Sequence, residues 1–307
     1  MAVEIARHRV SAASVAGGES SLSVTAHAIE PLARGAVVPS LTGPNIPEPK
    51  AVSAALTRVF DRMSLRPKRV ALAVPDGVAK VSLLRFEKVP ERSRDLDELI
   101  RWQVRKAAPF RAEDAQLTYV RGQSAADGST EFVVVLARRD IVREYEAVCE
   151  AAGAQAGVVD LSTFNVINAV LASSNAPSDD WLLVHVSQDD ATMAILRGQH
   201  LVFFRNRAAD GEAGLADMVH QTAMYYEDRL SGAGFRRVIL AGAGSPDTQI
   251  GQEADYLRRE LEQRLGTKVD SADPRTAAKL MDRISANTEM LDALAPLVGL
   301  LARERAA

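Results

Sequence analysis

Two patterns alternate along the chain. Short, continuous apolar runs, fit for strands buried on both faces, are separated by longer segments whose apolar residues recur every three or four positions, as on one helix face. Val3 to Val15 and Ser21 to Ile29 predict a hairpin around Gly17-Gly18, and the Pro-rich stretch from Pro31 to Pro49 predicts a loop. Lys50 to Met63 carries Val52, Leu56, Val59 and Phe60 at helical spacing. The run Arg69 to Val74 is a buried strand closed by the turn Pro75-Asp76-Gly77.

From Lys80 to Gly153 the pattern becomes β-α-β-β-α. A strand (Lys80 to Val89) precedes a helix from Asp95, its expected N-cap, to Ala108, where Pro109-Phe110 stops it. Strands at Leu117 to Arg121 and Glu131 to Ala137 flank the turn Ala125 to Gly128, and the helix Arg139 to Ala152 ends at Gly153. Val158-Val159-Asp160 then enters a helix from Ser162 to Ala172, and the polar stretch Ser173 to Asp180 marks a lobe boundary. Beyond it, Leu182 to Val186, Met193 to Leu196 and Leu201 to Phe204 predict three strands, the first two joined across Ser187, Gln188, Asp189 and Asp190. A helix (Glu212 to Leu230), a strand (Arg237 to Leu240) running into Ala241-Gly242-Ala243-Gly244, and helices at Gln252 to Leu265 and Leu291 to Arg303 complete the chain.

Strands alternating with helices predict an α/β fold in two lobes. The first spans 1–175, with its core at 1–78 and 157–175 and an inserted subdomain at about 79–156. The second spans 176–307, comprising the hairpin 181–205, the helix 212–230 and a C-terminal core 236–307. A length of 307 residues agrees, since one core seldom grows beyond roughly 250–300 residues.

Charge narrows the choice of partner. With 37 basic and 40 acidic residues the net charge is -3, which supplies no global field for nucleic acid or an anionic membrane. The single cysteine, Cys149, sits in a helical stretch and permits neither a disulfide framework nor a thiolate metal cluster. No window of ~18 uninterrupted apolar residues exists, and MAVEIARHRV lacks the apolar core of a signal peptide, so neither a membrane span nor an export signal is expected.

Several segments, in collinear order, resemble the actin-like ATPases and, within them, the type IV pilus assembly PilM family. They are Val3 to Arg7, Val70 to Pro75, Pro90 with Asp95 to Phe110, Val133 to Gly153, Val159-Asp160, Met224-Tyr225-Tyr226 and Leu297 to Ala302. The resemblance implies a two-lobed, ribonuclease H-like fold with a reduced second-lobe cap. It also implies a nucleotide site in which two Asp-Ile-Gly hairpin tips donate backbone N–H groups to phosphates while their carboxylates orient metal-bound water. This chain departs from that site. The first tip offers Glu4, Ile5 and Ala6 followed by Arg7 and His8, and the second offers His185, Val186 and Ser187 followed by Gln188. Both glycines are gone, and an imidazole cannot replace a carboxylate at Mg²⁺, which prefers oxygen ligands. Only Gly242, Ala243 and Gly244 keep a glycine-rich adenosine turn. About six residues separate Arg205 from the next helix, where the family carries a longer adenine-capping segment.

The expectation is therefore a vestigial nucleotide site at Glu4, Ala6, Arg7, His185, Ser187, Gln188, Gly242, Ala243 and Gly244, with no cofactor and with ATP-Mg²⁺ disfavoured. The resemblance further implies a non-catalytic adaptor, cytoplasmic and peripheral to the inner membrane, that holds the N-terminal tail of a PilN-like bitopic protein. Other pilus platform or motor components, and self-association, are further possible contacts. The tail would lie between the first-lobe core and the insert, with Leu83, Leu84, Phe86, Leu99, Trp102 and Gln103 as its walls; the competing reading packs Trp102 on the neighbouring lobe. Three other functions remain open at this point: a working actin-like ATPase, a GspL-like component of type II secretion, and an acetate- or sugar-kinase relative.

The remaining polar residues suggest no separate chemistry. His8, His185 and His220 share no i, i+3 or i, i+4 spacing for a metal. Asp189-Asp190 fits a solvated tip, and Arg138-Arg139 and Arg236-Arg237 fit strand gatekeepers. Arg101, Arg105, Lys106 and Arg111 form the densest basic face. No Ser-His-Asp, Cys-His or paired-carboxylate set stands at a motif spacing.

Overall fold

The computed structural model describes residues 1–17, 22–125, 127–187, 190–208, 214–244, 253–281, 284 and 286–306. Its first sheet is built from β1 (Ala2–Ile5), β2 (Arg9–Ala16), β3 (Ser23–Pro31), β4 (Arg69–Val74), β8 (Gln155–Leu161) and β14 (Lys279–Leu280), in the order β14-β3-β2-β1-β4-β8. The strand expected at Val3 to Val15 is thus two strands. The chain reverses at residues 6–8, where the Ala6 N–H donates to the Arg9 carbonyl at 2.9 Å. No glycine marks that reversal, so apolar patterning merges its two arms.

One face of this sheet is covered by α1 (Pro49–Arg62) and α3 (Arg139–Ala151), which bury Val52, Leu56, Phe60, Ile141 and Tyr145 against Val3, Ile5 and Leu72. Cys149 lies in the same core, where burial pushes its thiol up to about 12 and leaves it unreactive. The second sheet runs β11-β10-β9-β12-β13, from β9 (Asp180–Val186), β10 (Asp190–Arg197), β11 (His200–Ala208), β12 (Arg237–Ala241) and β13 (Val269–Ser271). Its outer face packs α5 (Leu215–Leu230) and α6 (Ala254–Leu265), through Val219, Tyr226, Leu257 and Leu261.

Two helices lie between the sheets. α4 (Ser162–Leu171) presents Val166, Ile167 and Val170 to Trp181 and Leu183 of the second sheet. α7 (Thr288–Ala306) sets Leu294, Leu297, Val298 and Leu301 against Ala2, Ala13, Ala71 and Ala73 of the first, and Ala295 against the second. This corrects the expected assignment of 236–307 to the second lobe. The last helix and β14, which pairs parallel with β3, return to the first sheet because α7 is apolar on two faces and needs two partners.

The insert is the sheet β5-β7-β6, from β5 (Ala79–Phe86), β7 (Thr130–Arg138) and β6 (Ala115–Ser124), covered on one face by α2 (Ser93–Arg105). Asp95 sits in the first turn of α2 rather than at its N-cap, which is Arg92. Ile100 and Val104 meet Phe132, Val134 and Leu136, with Leu84 and Phe86 packed beneath them.

The α4–α7 contact is close enough to require Gly299. A Cβ there would lie 1.7 Å from the Asn165 carbonyl oxygen, on a helix that cannot shift without opening both cores. Gly299→Val is expected to destabilise the fold by about 3 kcal/mol in urea unfolding. Gly214→Ala, whose Cβ meets nothing within 4 Å, should cost under about 1 kcal/mol, the difference between glycine and alanine at the N-cap of α5.

Candidate functional site

The two hairpin tips face each other across the cleft between the sheets, and their polar groups are matched to one another. Glu4 is 2 % exposed. Its Oε2 accepts from Arg9 Nη2 at 3.1 Å and Ser11 Oγ at 3.3 Å, and its Oε1 accepts from Ser162 Oγ at 2.9 Å, at the start of α4. The carboxylate of the first tip is thereby held by its own hairpin and the facing helix.

Asp76 is the centre of a second network. It follows β4 in a 3-10 turn, 6 % exposed, and its Oδ1 accepts from the Thr163 N–H at 3.1 Å. Its Oδ2 accepts from Thr163 Oγ1 and, at 2.7 Å, from Thr192 Oγ1 on β10. His185 Nδ1 meets Thr163 Oγ1 at 2.7 Å and lies 4.0 Å from Asp76 Oδ2. Asn206 Nδ2 donates to Thr192 Oγ1 at 2.9 Å and to Asp190 Oδ1 at 3.2 Å, and Asp190 faces Arg7 at 3.8 Å. Burial, reinforced by Asp76, raises the Asp190 carboxyl above its ordinary range, while Asn206, Ser187 and Arg7 pull it back. This chain of polar contacts joins the first sheet to the second.

The glycine-rich turn after β12 is also occupied from within. Gly242 has φ +80°, and a Cβ there would stand 2.0 Å from the Val186 carbonyl oxygen, so its glycine is explained by packing on β9. The Gly244 N–H donates to Asp292 on α7, the Gly242 N–H holds the same carboxylate, and Ala243 is buried among α5 and α6 residues. Burial lifts the Asp292 pKa, opposed by those N–H groups, by His185 and by Arg9.

Of the nine residues expected at a vestigial site, Glu4, Ala6, Arg7, His185, Ser187 and Gly242 line this one cleft. Ala243 and Gly244 continue the turn, and Gln188 lies outside the described residues. The space left among the cleft residues is about 50 Å³, against roughly 300–1,000 Å³ for a small-molecule pocket. Such a volume holds a few water molecules. Among the described residues, no group of three or more His, Cys, Asp or Glu converges as for a metal ion, and no helix is long and apolar enough to cross a membrane.

Sequence patterning did not single out Asp76, Thr163, Thr192, Asn206, Arg9 or Asp292. Asp76 read as part of a turn. The usable signal was Thr192 beside the apolar run of β10, where an isolated hydroxyl in a buried strand requires a partner.

A larger space, about 270 Å³, lies beside β8. It is lined by Val158, Val159 and Asp160 of β8, Gln116 and Thr118 of β6, Val135 of β7, and Val142 and Glu146 of α3, among others. The six residues expected as partner walls lie elsewhere. Leu84 and Phe86 are in the core beneath α2, because period-2 alternation turns them to the helix-covered face. Leu83 is on the other face of β5, which it shares with the groove-lining Ala79, but it is not itself in the lining, and Leu99 is half-buried on α2. Trp102 is 55 % exposed with Lys106 stacked on its ring at 4.6 Å, and Gln103 is exposed. Trp102 therefore packs on neither the groove nor the neighbouring lobe.

Two measurements check the polar groups of the cleft and of the first sheet behind it. Thr192→Val removes a donor from Asp76 and is expected to cost about 1–3 kcal/mol in urea unfolding at neutral pH. The second concerns His27 on β3, whose pKa is lowered to about 4 by burial and by Arg9. Between its unfolded value of 6.5 and about 4, the unfolded chain binds a proton that the folded chain refuses, so stability falls as pH falls through that window. The expected loss from this group is about 3 kcal/mol, and His27→Gln should remove most of it. An unchanged acid slope would contradict the assignment.

Comparison with known proteins follows the same lines. The profile of the family described as "Type IV pilus assembly protein PilM" matches residues 2–234. No curated protein sequence matches the chain. Among solved structures, a PilM-PilN type IV pilus biogenesis complex superposes with a TM-score of 0.83 at 17% identity, over 99% of this chain and 98% of that one. A protein of unknown function with an actin-like ATPase fold from Bacteroides thetaiotaomicron gives 0.50 at 12% identity, over 98% and 94%. The ethanolamine utilization protein EutJ from Carboxydothermus hydrogenoformans gives 0.51 at 9% identity, over 98% and 88%. These likenesses establish the actin-like fold, and the profile match over most of the sequence establishes that the chain belongs to the type IV pilus assembly protein PilM family.

Proposed function

We propose that this chain is a non-catalytic adaptor of type IV pilus assembly, working at the cytoplasmic face of the inner membrane. In this reading it binds the N-terminal tail of a PilN-type bitopic protein in the groove beside β8, and it neither binds nor hydrolyses ATP.

The contrast between the two cavities carries the reading. In the cleft, the carboxylates that could hold a metal and the glycine turn that could face a phosphate are engaged: Glu4 by Arg9, Asp76 by two threonines, Asp190 by Asn206, and the glycine turn by Asp292. ATP-Mg²⁺ would have to break these contacts and open a space of about 50 Å³ severalfold. A water-excluding phosphoryl-transfer site is not compatible with that filling.

The groove has the opposite character. β8 is the last strand of its sheet, so among the described residues one edge has no strand partner, and Ala156, Val158 and Val159 are half-exposed although sequence and sheet position suit burial. An extended peptide can pair with such an edge while placing side chains in the adjoining space. The solved relative with PilN in its complex supports a partner of that type here. Thr118 is exposed on the groove wall, so a larger side chain there blocks the space without entering a core.

Calorimetric titration with the tail peptide of the PilN-type protein from the same organism tests the reading. The wild type should bind with a Kd in the micromolar range, about -8 kcal/mol. Thr118→Trp should weaken binding at least about tenfold, which is ~1.4 kcal/mol, with an unchanged melting temperature. Absence of heat with the wild type, or equal binding by the blocked variant, would refute the assignment.

A further inference from the structure

The groove beside β8 contains an unmet charge. Three polar side chains on its walls, Gln116 and Thr118 of β6 and Glu146 of α3, have no hydrogen-bond or ion-pair partner among the described residues. Gln116 and Thr118 are exposed and can turn to water, but Glu146 is half-buried. The other carboxylate in the lining, Asp160, is already taken by Arg303 of α7 and by the Leu161 N–H at 2.8 Å. Burial raises the Asp160 pKa, and Arg303 opposes the rise. Glu146 therefore supplies the unpaired charge.

An occupant that fills about 270 Å³ of this groove must strip water from Glu146. Covering a carboxylate without a compensating partner opposes binding strongly, whereas a facing cation converts the same position into a source of selectivity. The neighbouring surface sets the shape of the occupant. The free edge of β8 offers unpaired backbone groups along an extended path, and Val135, Val142 and Val159 offer an apolar floor. The bulge in β8, where Gly157 is the extra residue between the pairs Val70 with Ala156 and Ala71 with Val158, lies within that path.

We propose that the groove selects an extended, cationic segment: a strand added to the edge of β8 whose apolar side chains cover the valines and whose Lys or Arg side chain pairs with Glu146. The inference rests on the assignment of the groove to the partner's tail and adds the chemistry by which the tail is chosen. Glu146 is then a specificity determinant, and the bound part of the tail must contain a basic residue.

The probe is the tail peptide used above, titrated in parallel with a version whose basic residue is changed to Gln. Glu146→Gln is expected to weaken binding of the native peptide at least about tenfold and to reduce its salt dependence. The Gln-containing peptide should lose affinity by a similar factor toward the wild type and show no further loss toward Glu146→Gln. Glu146→Lys should recover affinity for a peptide carrying Glu at the same position. Native binding by Glu146→Gln with unchanged salt dependence would overturn the charge selection while leaving the groove assignment intact. Silence of the wild type toward the native peptide would overturn both. If Glu146→Gln does not fold, the peptide-side substitution decides the matter against the wild type alone.

Discussion

A carboxylate buried between two sheets persists only if donors reach it from both sides. Asp76 meets this condition with the N–H and hydroxyl of Thr163, at the head of α4, and the hydroxyl of Thr192 on the second sheet. The three groups must stay within hydrogen-bond distance of one carboxylate, so the separation of the sheets is set there. His185 and Asn206 extend the contact along the second sheet, and Glu4, Arg9 and Ser162 brace the first sheet against the same helix. Below this layer α4 and α7 stack between the sheets at a distance that Gly299 alone permits. Cleft, helix pair and sheet spacing are one mechanical unit.

That unit explains why the two cavities differ. Actin-like folds place two hairpin tips opposite each other, and backbone N–H groups left open at such tips attract anions. Here the tip N–H groups of Ala6 and Ser187 donate to the carbonyls of Arg9 and Asp190 in their own hairpins, and Asp292 takes the N–H groups of the glycine turn. The insert, by contrast, is packed on α2 and stands beside β8 without covering its edge. The cleft is bridged by the chain's own polar groups, and the larger open space lies in the groove between insert and core.

Much of the architecture was legible from patterning because strands buried on both faces and one-sided helices have distinct periods. The insert, the helix from Pro49 and the three strands beginning at Asp180 appear close to their expected positions. The absence of glycine at both tips was readable as well. Other features depended on contacts that no local pattern encodes. The reversal at Ala6 to His8 lacks a turn residue. The return of α7 to the first sheet follows from an apolar surface on two sides, which periodicity alone assigns to either lobe. Asp76 read as a turn residue because its donors lie at positions 163 and 192. The burial of two expected wall residues was hidden for a related reason: alternation on β5 identifies Leu84 and Phe86 as facing one side, but only the packing of α2 shows that side to be core.

The most direct test of the self-filled cleft is the melting temperature of the protein with and without millimolar ATP-Mg²⁺. A ligand present at a hundred times its Kd stabilises by about 2.7 kcal/mol, which for a chain of this size is a rise of about 5 °C. The brace formed by Asp76, Glu4 and Asp292 predicts a change of under about 1 °C at neutral pH. A saturable rise of several degrees would show that nucleotide opens the cleft, and would contradict the account.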